Sequence, residues 1–426
     1  MAARLRIENL GQAVTMAGVG AGPIDRAALG IVDDGVIATD GGRIAGVWPR
    51  ADAPPARADD TVIDARGGVA LPGLIDPHTH AVFAGSREAQ FEMRARGMSY
   101  LDIARAGGGL SRTLAASRAA SSDGLFDLAR TRLLRMLSFG VTTVEVKSGY
   151  GLDPAHELRH LEVIARLGRE LPMTVVPTFL GAHAVPPEYE GRAEAYADLV
   201  RREMIPEVAR RGLAVFCDAF CEEGFFSPAQ SRRVLETALA HGLKVKLHAD
   251  EFNDLGGARL AAELRATSAD HLLHVSRDGI GALAASGTVA VLLPATAFFL
   301  GEAYAPARAL LDAGVPVALS TDCNPGSSPT ENAQLVLTAA CAGMKMTVPE
   351  ALAGATVRAA RALALDDRGK LVPGLRADLA LFAVPEAAYI PYHFGWNFVT
   401  AVIAGGRVVL SRDPEAAGLR DGGGRA

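Results

Sequence analysis

The alternation of apolar and polar residues divides the chain into three regions. Residues 1–70 contain short apolar runs separated by Gly, Asp and Pro, which predict a small antiparallel sheet. In residues 71–365, each short β-branched run is followed by an Ala-, Leu- and Arg-rich stretch of helical character. Residues 366–426 return to the β pattern, and AGGRVVLSRD in this region is similar to DGGRIAGVWP in the first. We therefore expect the two chain ends to share one sheet.

The middle region predicts an α/β fold of the (β/α)8 TIM-barrel type. Strands that alternate with helices form βαβ units with parallel strands, and a barrel of this type needs eight strands. Eight runs are present along the chain, namely GLIDPHTH, VTTVEVKS, MTVVPTFLG, AVFCDAF, LKVKLHADE, ATSADHL, TVAVLLPA and PVALSTDCN.

Composition limits the class of protein. A chain of 426 residues with 49% hydrophobic content can bury a large core, and its net charge of −5 without a basic stripe argues against nucleic acid or an anionic membrane as a partner. The N-terminal segment lacks the apolar core of a signal peptide, and no apolar run is long enough to predict a membrane span. The four cysteines show neither CxxC spacing nor a disulfide framework. We therefore expect a protein of the reducing cytoplasm.

Histidines and a carboxylate stand at the ends of several predicted strands. Residues i and i+2 of a strand share a face, so His78 and His80 of GLIDPHTH are expected side by side. His248 follows KVKL, and Asp322 follows VALST. Because the chemistry of such barrels gathers at the carboxyl ends of the strands, we expect these four side chains to converge. Three imidazoles and a carboxylate form a ligand set for Zn²⁺ or another borderline divalent metal.

Each predicted ligand also has a structural alternative. An HxH pair can be hydrogen-bonded within a core or loop, His248 can bond a backbone carbonyl, and Asp322 can cap the helix after PGSSP. We favour ligation because unrelated core histidines would not each fall at a strand end. A second metal would need a bridging ligand such as a carboxylated lysine. Lys147 and Lys246 lie on strands, but a pairing of Lys246 with Glu145 is the simpler explanation, so we expect one metal.

Three residues are candidates for proton transfer, and an arginine is a candidate for substrate binding. A carboxylate or imidazole beside a metal-activated water can move its proton, which points to Asp322, Glu251 and His271. Arg87 lies in the loop after the HxH, where a guanidinium suits bidentate capture of a substrate carboxylate. A surface salt bridge to a glutamate of the same segment explains Arg87 equally well.

Other polar residues follow the predicted strands. Tyr150 lies in SGYG, His183 follows TFLGA, and NPGSSP offers hydroxyls and backbone N–H groups near Asn324. His156 and His160, four residues apart in DPAHELRHLEVI, have no third ligand nearby. We interpret these two as part of a solvated helix face.

Several long motifs resemble a known family. LPGLIDPHTH, HADE and STDCNPG resemble the metal-dependent amidohydrolase superfamily, and RAGGGLSRT, EVKSGYGLD, TFLGAHAVPPEY and HADEFNDLGGA resemble its imidazolonepropionase family. The similarity extends over nearly the whole chain. It implies a (β/α)8 barrel with a small β-sandwich formed by both termini, a homodimer, and one Zn²⁺ or Fe³⁺ per subunit. The implied reaction opens the ring amide of 4-imidazolone-5-propanoate with water, giving N-formimidoyl-L-glutamate in L-histidine degradation.

The resemblance also implies a set of site residues. The implied metal ligands are His78, His80, His248 and Asp322, and the implied substrate contacts are Arg87, Tyr150, His183, Glu251, Asn324, Gly326 and Ser327. Two rival functions stay open at this point. A deaminase of a neutral cyclic nitrogen compound would leave Arg87 without a role, and a non-catalytic barrel that serves as a scaffold would typically lose metal ligands.

Overall fold

A computed structural model describes residues 4–98 and 109–412, so that residues 105–108 of the RAGGGLSRT motif and the chain after residue 412 lie outside the described part. Two eight-stranded sheets form within it. The terminal sheet, built from both chain ends, contains β1 (Arg4–Val14), β2 (Ile31–Asp40), β3 (Arg43–Pro49), β4 (Asp60–Asp64), β5 (Val69–Pro72), β14 (Leu379–Phe382), β15 (Val399–Ala404) and β16 (Arg407–Ser411). The barrel sheet contains β6 (Leu74–Asp76), β7 (Val141–Lys147), β8 (Thr174–Ala182), β9 (Phe216–Cys221), β10 (Lys244–Ala249), β11 (Ser268–His271), β12 (Val289–Leu292) and β13 (Val317–Leu319).

Helices follow the barrel strands. Those in the described ranges are α1 (Glu88–Ala95), α2 (Leu110–Ala119), α3 (Ser122–Ser138), α4 (Pro154–Glu170), α5 (Ala193–Leu199), α6 (Ile205–Arg210), α7 (Pro228–Ala240), α8 (Gly257–Glu263), α9 (Arg277–Ser286), α10 (Pro294–Leu300), α11 (Ala307–Asp312), α12 (Ala333–Ala342), α13 (Val348–Gly354), α14 (Val357–Ala362) and α15 (Tyr389–Tyr392). None of these helices combines the length and the apolar character that a membrane crossing requires.

The eight predicted strand runs all form barrel strands. They lie in the order β6 to β13 across the sheet, and each pairs in parallel with its neighbour along the chain. Every residue of β7 and of β9 is buried. Burial along the whole strand is expected where helices cover the outside of a parallel sheet and side chains fill its inside.

The first and last barrel strands meet just beyond their carboxyl ends. The backbone N–H of Asp322 donates to the carbonyl of His78 at 3.1 Å. The Asp76 carboxylate accepts hydrogen bonds from the hydroxyls of Ser320 and Thr321. These bonds hold the segment that carries the HxH pair beside the segment that carries Asp322.

The terminal sheet joins the two chain ends, as the sequence predicts, but it is not purely antiparallel. β14 pairs antiparallel with β5, whereas β1 pairs in parallel with both β4 and β5. The register of β1 shifts between Ile7 and Leu10, where Asn9 has a φ of 55°. An alternating pattern identifies a strand but not its distant partner, and for this reason the prediction missed the parallel pairs.

Inward-facing side chains fill the barrel in layers. An apolar layer near the amino ends of the strands includes Val176, Phe216 and Val291. Because alternate residues of a strand face the same side, Asp218 lies above Phe216, and His248 lies above Lys246. The barrel interior therefore changes from apolar to charged, and then to the predicted metal ligands, towards its carboxyl end.

Candidate functional site

The four predicted metal ligands converge at the carboxyl end of the barrel. The Nε2 atom of His80 lies 3.3 Å from that of His78 and 3.4 Å from that of His248. Asp322 Oδ1 lies 3.5 Å from His78 Nε2 and 3.6 Å from His80 Nε2. Ligand atoms about 2.0–2.1 Å from a tetrahedral ion stand roughly 3.3–3.4 Å from each other. The distances from His80 Nε2 to the other three atoms, and the distance between His78 Nε2 and Asp322 Oδ1, are therefore close to those expected around a single metal ion.

The HxH pair lies just after a strand rather than within one. β6 ends at Asp76, and residues 77–80 are irregular. The imidazoles of His78 and His80 nevertheless face the same site, with ring centroids 5.2 Å apart. The prediction of a shared direction was correct, and the prediction that the strand extends through residue 80 was wrong.

Two carboxylates lie against the imidazoles of the predicted metal ligands His78 and His248. Asp270 Oδ2 lies 2.6 Å from His78 Nδ1, and Asp218 Oδ2 lies 2.9 Å from His248 Nδ1. Because an ionised carboxylate only accepts, the hydrogen bond from His78 Nδ1 to Asp270 directs the Nε2 lone pair of His78 to the centre. The negative charge of Asp218 favours the same protonation of His248. Lone pairs and a carboxylate oxygen at 3.3–3.6 Å repel one another unless a cation lies between them. The chemistry of the donor set thus also fits a metal.

A buried ion network lies beneath the ligands. Lys147 Nζ lies 2.7 Å from Glu145 Oε1 and 2.9 Å from Asp218 Oδ2, while Lys246 Nζ lies 3.7 Å from Asp270 Oδ2. Burial disfavours the charge of Lys147, but the carboxylates of Asp218, Glu145 and Asp270 outweigh it and raise its pKa. The expected pairing of Lys246 with Glu145 is wrong, because Glu145 and Lys147 share the inward face of β7 and Lys246 lies three strands away.

Asp322 is a buried carboxylate with one oxygen facing the ligand cluster. Its Oδ2 accepts a hydrogen bond from Thr296 Oγ1 at 2.6 Å, and burial raises the pKa of Asp322 to about 7. The helix after NPGSSP is α12, and Asn332 forms its N-cap by accepting the N–H of Leu335. The capping alternative for Asp322 is therefore wrong.

Glu251 and His271 lie together beside the cluster. His271 Nδ1 is 3.5 Å from Glu251 Oε1, and the His271 ring centroid is 5.1 Å from that of His248. Burial raises the pKa of Glu251 well above its usual value, helped by the negative charges of Asp322 and Glu222. Burial also lowers the pKa of His271, which keeps its imidazole neutral. A ring nitrogen of His271 also lies within 4.8 Å of ring nitrogens of His78 and His248, so these three histidines could hold a metal ion together.

The cluster opens into a cavity at the carboxyl end of the barrel. Its lining contains every predicted site residue except His78, namely His80, Arg87, Tyr150, His183, His248, Glu251, His271, Asp322, Asn324, Gly326 and Ser327. Apolar walls are supplied by Phe220, Phe225 and Phe252, among others. The cavity thus brings the predicted metal, proton-transfer and substrate residues into one space.

Arg87 is buried in this cavity instead of lying on the surface. Its Nε donates to Thr113 Oγ1 at 2.8 Å, and none of the described carboxylates lies within ion-pair distance of its guanidinium. A Cβ at Gly326 would stand 2.2 Å from Arg87 Nη1, so a glycine there makes room for the guanidinium. The salt-bridge alternative is not realised, and a bound anion would supply the missing charge.

Tyr150 and His183 form an aromatic wall next to the cluster. The His183 ring stacks on that of His80 with centroids 5.0 Å apart, and the Tyr150 ring lies 5.4 Å from His183. His183 Nδ1 lies 2.9 Å from the carbonyl of Gly149, so Nδ1 donates and Nε2 is left as an acceptor. Burial, with a contribution from His248, lowers the pKa of His183 to about 3, which leaves the ring neutral.

The NPGSSP segment is held together by the side chain of Asn324. Asn324 Oδ1 accepts the N–H groups of Gly326 and Ser327, both at 2.8 Å, and Nδ2 donates to the carbonyl of Asp322 at 2.7 Å. These two backbone N–H groups, which the sequence analysis considered as donors to a ligand, are therefore already hydrogen-bonded within the loop. Ser327 Oγ accepts from Asn324 Nδ2 at 2.8 Å and keeps its own hydrogen to donate.

The two histidines of α4 differ from their interpretation as a solvated face. His156 is half-buried and its Nδ1 lies 2.6 Å from Asp153 Oδ2, but His160 is fully buried and neither ring nitrogen has a partner in the described ranges. The four-residue spacing correctly predicts that both histidines lie on one side of α4. It does not reveal that this side of the helix is partly buried against the rest of the protein. Neither residue lines the cavity.

Sequence reasoning missed the charged residues that orient the site. Asp218, Asp270 and Lys147 lie in the runs FCDAF, TSADH and VEVK, which become fully buried strands. Parallel strands of a barrel are buried on both faces, so ionisable residues within them must pair with each other or with functional groups. This conflict between charge and burial was the signal that could have found them.

Comparisons with known proteins agree with this geometry. A family model described as "Amidohydrolase family" matches residues 69–409. The imidazolonepropionase of Geobacillus kaustophilus (strain HTA426) is 50% identical over 415 residues, which cover 96% of this chain and 98% of the relative. That of Shouchella clausii (strain KSM-K16) is 47% identical over 418 residues, 96% of this chain and 94% of the relative.

A solved structure supports the fold. The 5-methylcytosine deaminase of Klebsiella pneumoniae matches with a TM-score of 0.74 at 18% identity, covering 96% of this chain and 98% of the deaminase. At this identity the likeness concerns the architecture alone.

Proposed function

This chain belongs to the amidohydrolase family and, within it, to the imidazolonepropionases, and from that premise we infer how its residues perform the reaction. The chain hydrolyses the ring amide C–N bond of 4-imidazolone-5-propanoate to give N-formimidoyl-L-glutamate in L-histidine degradation. One observation carries the assignment of residues: a metal-ligand cluster and a buried guanidinium with no described carboxylate beside it line the same cavity.

The amidohydrolase family is metal-dependent, and the chain has a His/Asp cluster that can hold an ion. We propose one Zn²⁺ or Fe³⁺ per chain, held by His78, His80, His248 and Asp322. When bound, such an ion polarises the substrate carbonyl and acidifies a water molecule. Support for a single ion comes from His80 Nε2, which lies 3.3 Å from His78 Nε2, 3.4 Å from His248 Nε2 and 3.6 Å from Asp322 Oδ1. Further support comes from Lys147, whose ammonium is in ion pairs.

Arg87 binds the propionate of the substrate through a charge-assisted, bidentate contact. Tyr150 and His183 contact the planar ring, with His183 Nε2 accepting from a ring N–H. Asn324 and Gly326 shape the wall around Arg87, and the Ser327 hydroxyl donates to the substrate. The buried position of Arg87 and the hydrogen bond from His183 Nδ1 to Gly149 support these roles.

Proton transfer is assigned to the carboxyl groups of the cavity. Water adds to the ring carbonyl carbon, Asp322 takes a proton from the water, and Glu251 delivers a proton to the ring nitrogen as the C–N bond breaks. His271 donates a hydrogen bond to the oxyanion that forms at the carbonyl oxygen. The raised pKa of Glu251 favours its protonated form, which supports its role as the acid.

The proposed assembly is a homodimer in the cytoplasm. Tyr392, Phe394 and Trp396 are 65–77% exposed, and an aromatic surface of this kind is common at protein–protein contacts. The cysteines are free thiols, three of them buried, as expected in a reducing compartment. Light scattering on the purified protein tests the dimer.

Elemental analysis of His248→Ala tests the metal assignment. Removing one of three imidazoles should abolish tight binding, so we expect about one ion per chain in the wild-type protein and almost none in the variant. His241→Ala, at the exposed end of α7, is the matched control and should retain the metal. Full metal content in His248→Ala, or none in the wild-type protein, would contradict the assignment.

A further inference from the structure

A buried glutamate supports the loop that carries Tyr150. Glu157, on the first turns of α4, is 1% exposed. Its Oε1 accepts the backbone N–H groups of Gly149, Gly151 and Leu152 at 3.1, 2.8 and 2.8 Å. Its Oε2 accepts the N–H of Gly149 as well, at 3.1 Å. The carboxylate therefore binds the backbone on both sides of Tyr150.

The same loop also contacts the second aromatic residue of the cavity. The carbonyl of Gly149 accepts the hydrogen bond from His183 Nδ1, so one peptide segment connects Glu157 to the side chain of His183. Gly149 has a φ of 107°, and a Cβ there would stand 3.0 Å from His183 Nδ1. The loop is thus fixed from below by Glu157 and from the cavity side by His183.

The fit between the loop and α4 is close. A Cβ at Gly151 would stand 2.6 Å from the backbone N of Glu157, and Leu152 has a φ of 54°. Loop residues with positive φ persist only where their surroundings hold them. The hydrogen bonds from the loop to Glu157 supply that restraint.

We propose that Glu157 is a positioning residue for substrate binding, acting through the Gly149–Leu152 segment to fix the Tyr150 ring and the tautomer of His183. The proposal rests on the proposed roles of Tyr150 and His183. Glu157 does not line the cavity, so it acts only through the residues it holds.

Three variants test this role. Glu157→Met removes every acceptor and should lower kcat/KM for 4-imidazolone-5-propanoate at least tenfold, mainly through KM. Glu157→Gln keeps one acceptor oxygen in the position of Oε1 and should fall between the wild-type protein and Glu157→Met. Gly151→Ala disturbs the same contact from the loop side and should also raise KM. Metal content should stay at the wild-type value in all three.

Gly168→Ala is the matched control, because a Cβ there on α4 meets its nearest neighbour at an ordinary 3.6 Å. It should leave KM unchanged. In a Tyr150→Ala background, the effect of Glu157→Met on kcat/KM should shrink at least threefold, since half of the positioned pair is gone. If Glu157 only stabilised the fold, Glu157→Met would lower kcat/KM by the same factor in the Tyr150→Ala background as in the wild-type background.

Wild-type kinetic constants in both Glu157→Met and Gly151→Ala would overturn the positioning role, as would an undiminished effect in the Tyr150→Ala background. If Glu157→Met does not fold, Gly151→Ala and Glu157→Gln decide by the same criteria. An inactive, metal-loaded wild-type protein would instead contradict the proposed function.

Discussion

At the residue scale, the ionisable side chains inside the barrel fall into two groups. Lys147 and Asp218 neutralise each other below the histidines, at 2.9 Å. Arg87 and Glu251 face the cavity, where the described residues give Arg87 no counter-ion and give Glu251 only a neutral histidine at 3.5 Å. Burying charge without a partner is costly, which supports the proposals that the substrate carboxylate pairs with Arg87 and that Glu251 is held protonated.

Glu251→Gln removes the proposed acid while preserving the shape of the side chain. Loss of a positioned acid or base typically costs ~10²–10⁴-fold in rate, and we expect kcat to fall within this range. Metal content and the unfolding temperature should stay close to wild type. Glu223→Gln, at an exposed position in the loop after β9, should leave kcat unchanged. A near-wild-type kcat for Glu251→Gln would move the role to Asp322 or His271.

Arg87→Ala should lose a charge-assisted contact with the substrate carboxylate. Hydrogen bonds to charged groups contribute ~1.5–3 kcal/mol, which corresponds to roughly a ten- to hundred-fold fall in kcat/KM. Arg87→Lys should have a kcat/KM between those of Arg87→Ala and the wild-type protein, because a lysine keeps the positive charge but lacks the bidentate fork. Arg96→Ala, which removes an exposed partner of Glu92, is the control and should be neutral.

A second substrate distinguishes a direct contact between Arg87 and the substrate carboxylate from an indirect, structural effect of the Arg87→Ala substitution. When the substrate carboxylate is replaced by a neutral amide, the contact is absent from both proteins, and the deficit of Arg87→Ala should shrink. Equal losses of kcat/KM on the two substrates would rule out direct carboxylate binding.

At the element scale, the local pattern of apolar and polar residues was sufficient to predict the barrel strands. All eight barrel strands were identified because each is a short apolar run next to a helical stretch, and parallel strands bring their carboxyl ends together. The parallel pairs of β1 and the particular contacts that Asp218 and Glu157 make could not be predicted in this way. Those features depend on residues that are distant in the chain, and no local period encodes such contacts.

The buried His160 of α4 makes the free energy of unfolding of the protein depend on pH. Burial lowers the pKa of His160 to about 3, against about 6.5 in an unfolded chain. Below pH 6.5 the unfolded state therefore binds a proton that the folded state does not, and stability falls as the pH falls towards 3. At pH 5 the cost is about 2 kcal/mol.

His160→Leu should remove this cost. We expect the free energy of unfolding of the variant, relative to wild type, to rise by about 2 kcal/mol between pH 8 and pH 5, measured by urea denaturation. The metal-site histidines are common to both proteins and cancel in the comparison. His241→Leu, at an exposed position, should show no such change. A pH-independent difference for His160→Leu would contradict the account of His160.

At the scale of the whole molecule, the barrel supplies the site and the terminal sheet joins the two chain ends. β14 pairs with β5, and the chain then enters the barrel through Gly73 directly before β6. The segments after β6 and β13 carry the HxH pair and Asp322. Their hydrogen bonds bring residues 242–245 positions apart into contact. The ligand cluster therefore forms only when the barrel is complete.

The most direct test of the account is turnover of 4-imidazolone-5-propanoate by the purified, metal-loaded protein, with the product identified by mass spectrometry. We expect loss of the substrate absorbance and formation of one N-formimidoyl-L-glutamate per substrate, heavier than the substrate by one water. Chelated protein and His248→Ala should give neither. Absence of turnover at full metal content, or a product that has lost ammonia, would contradict the account.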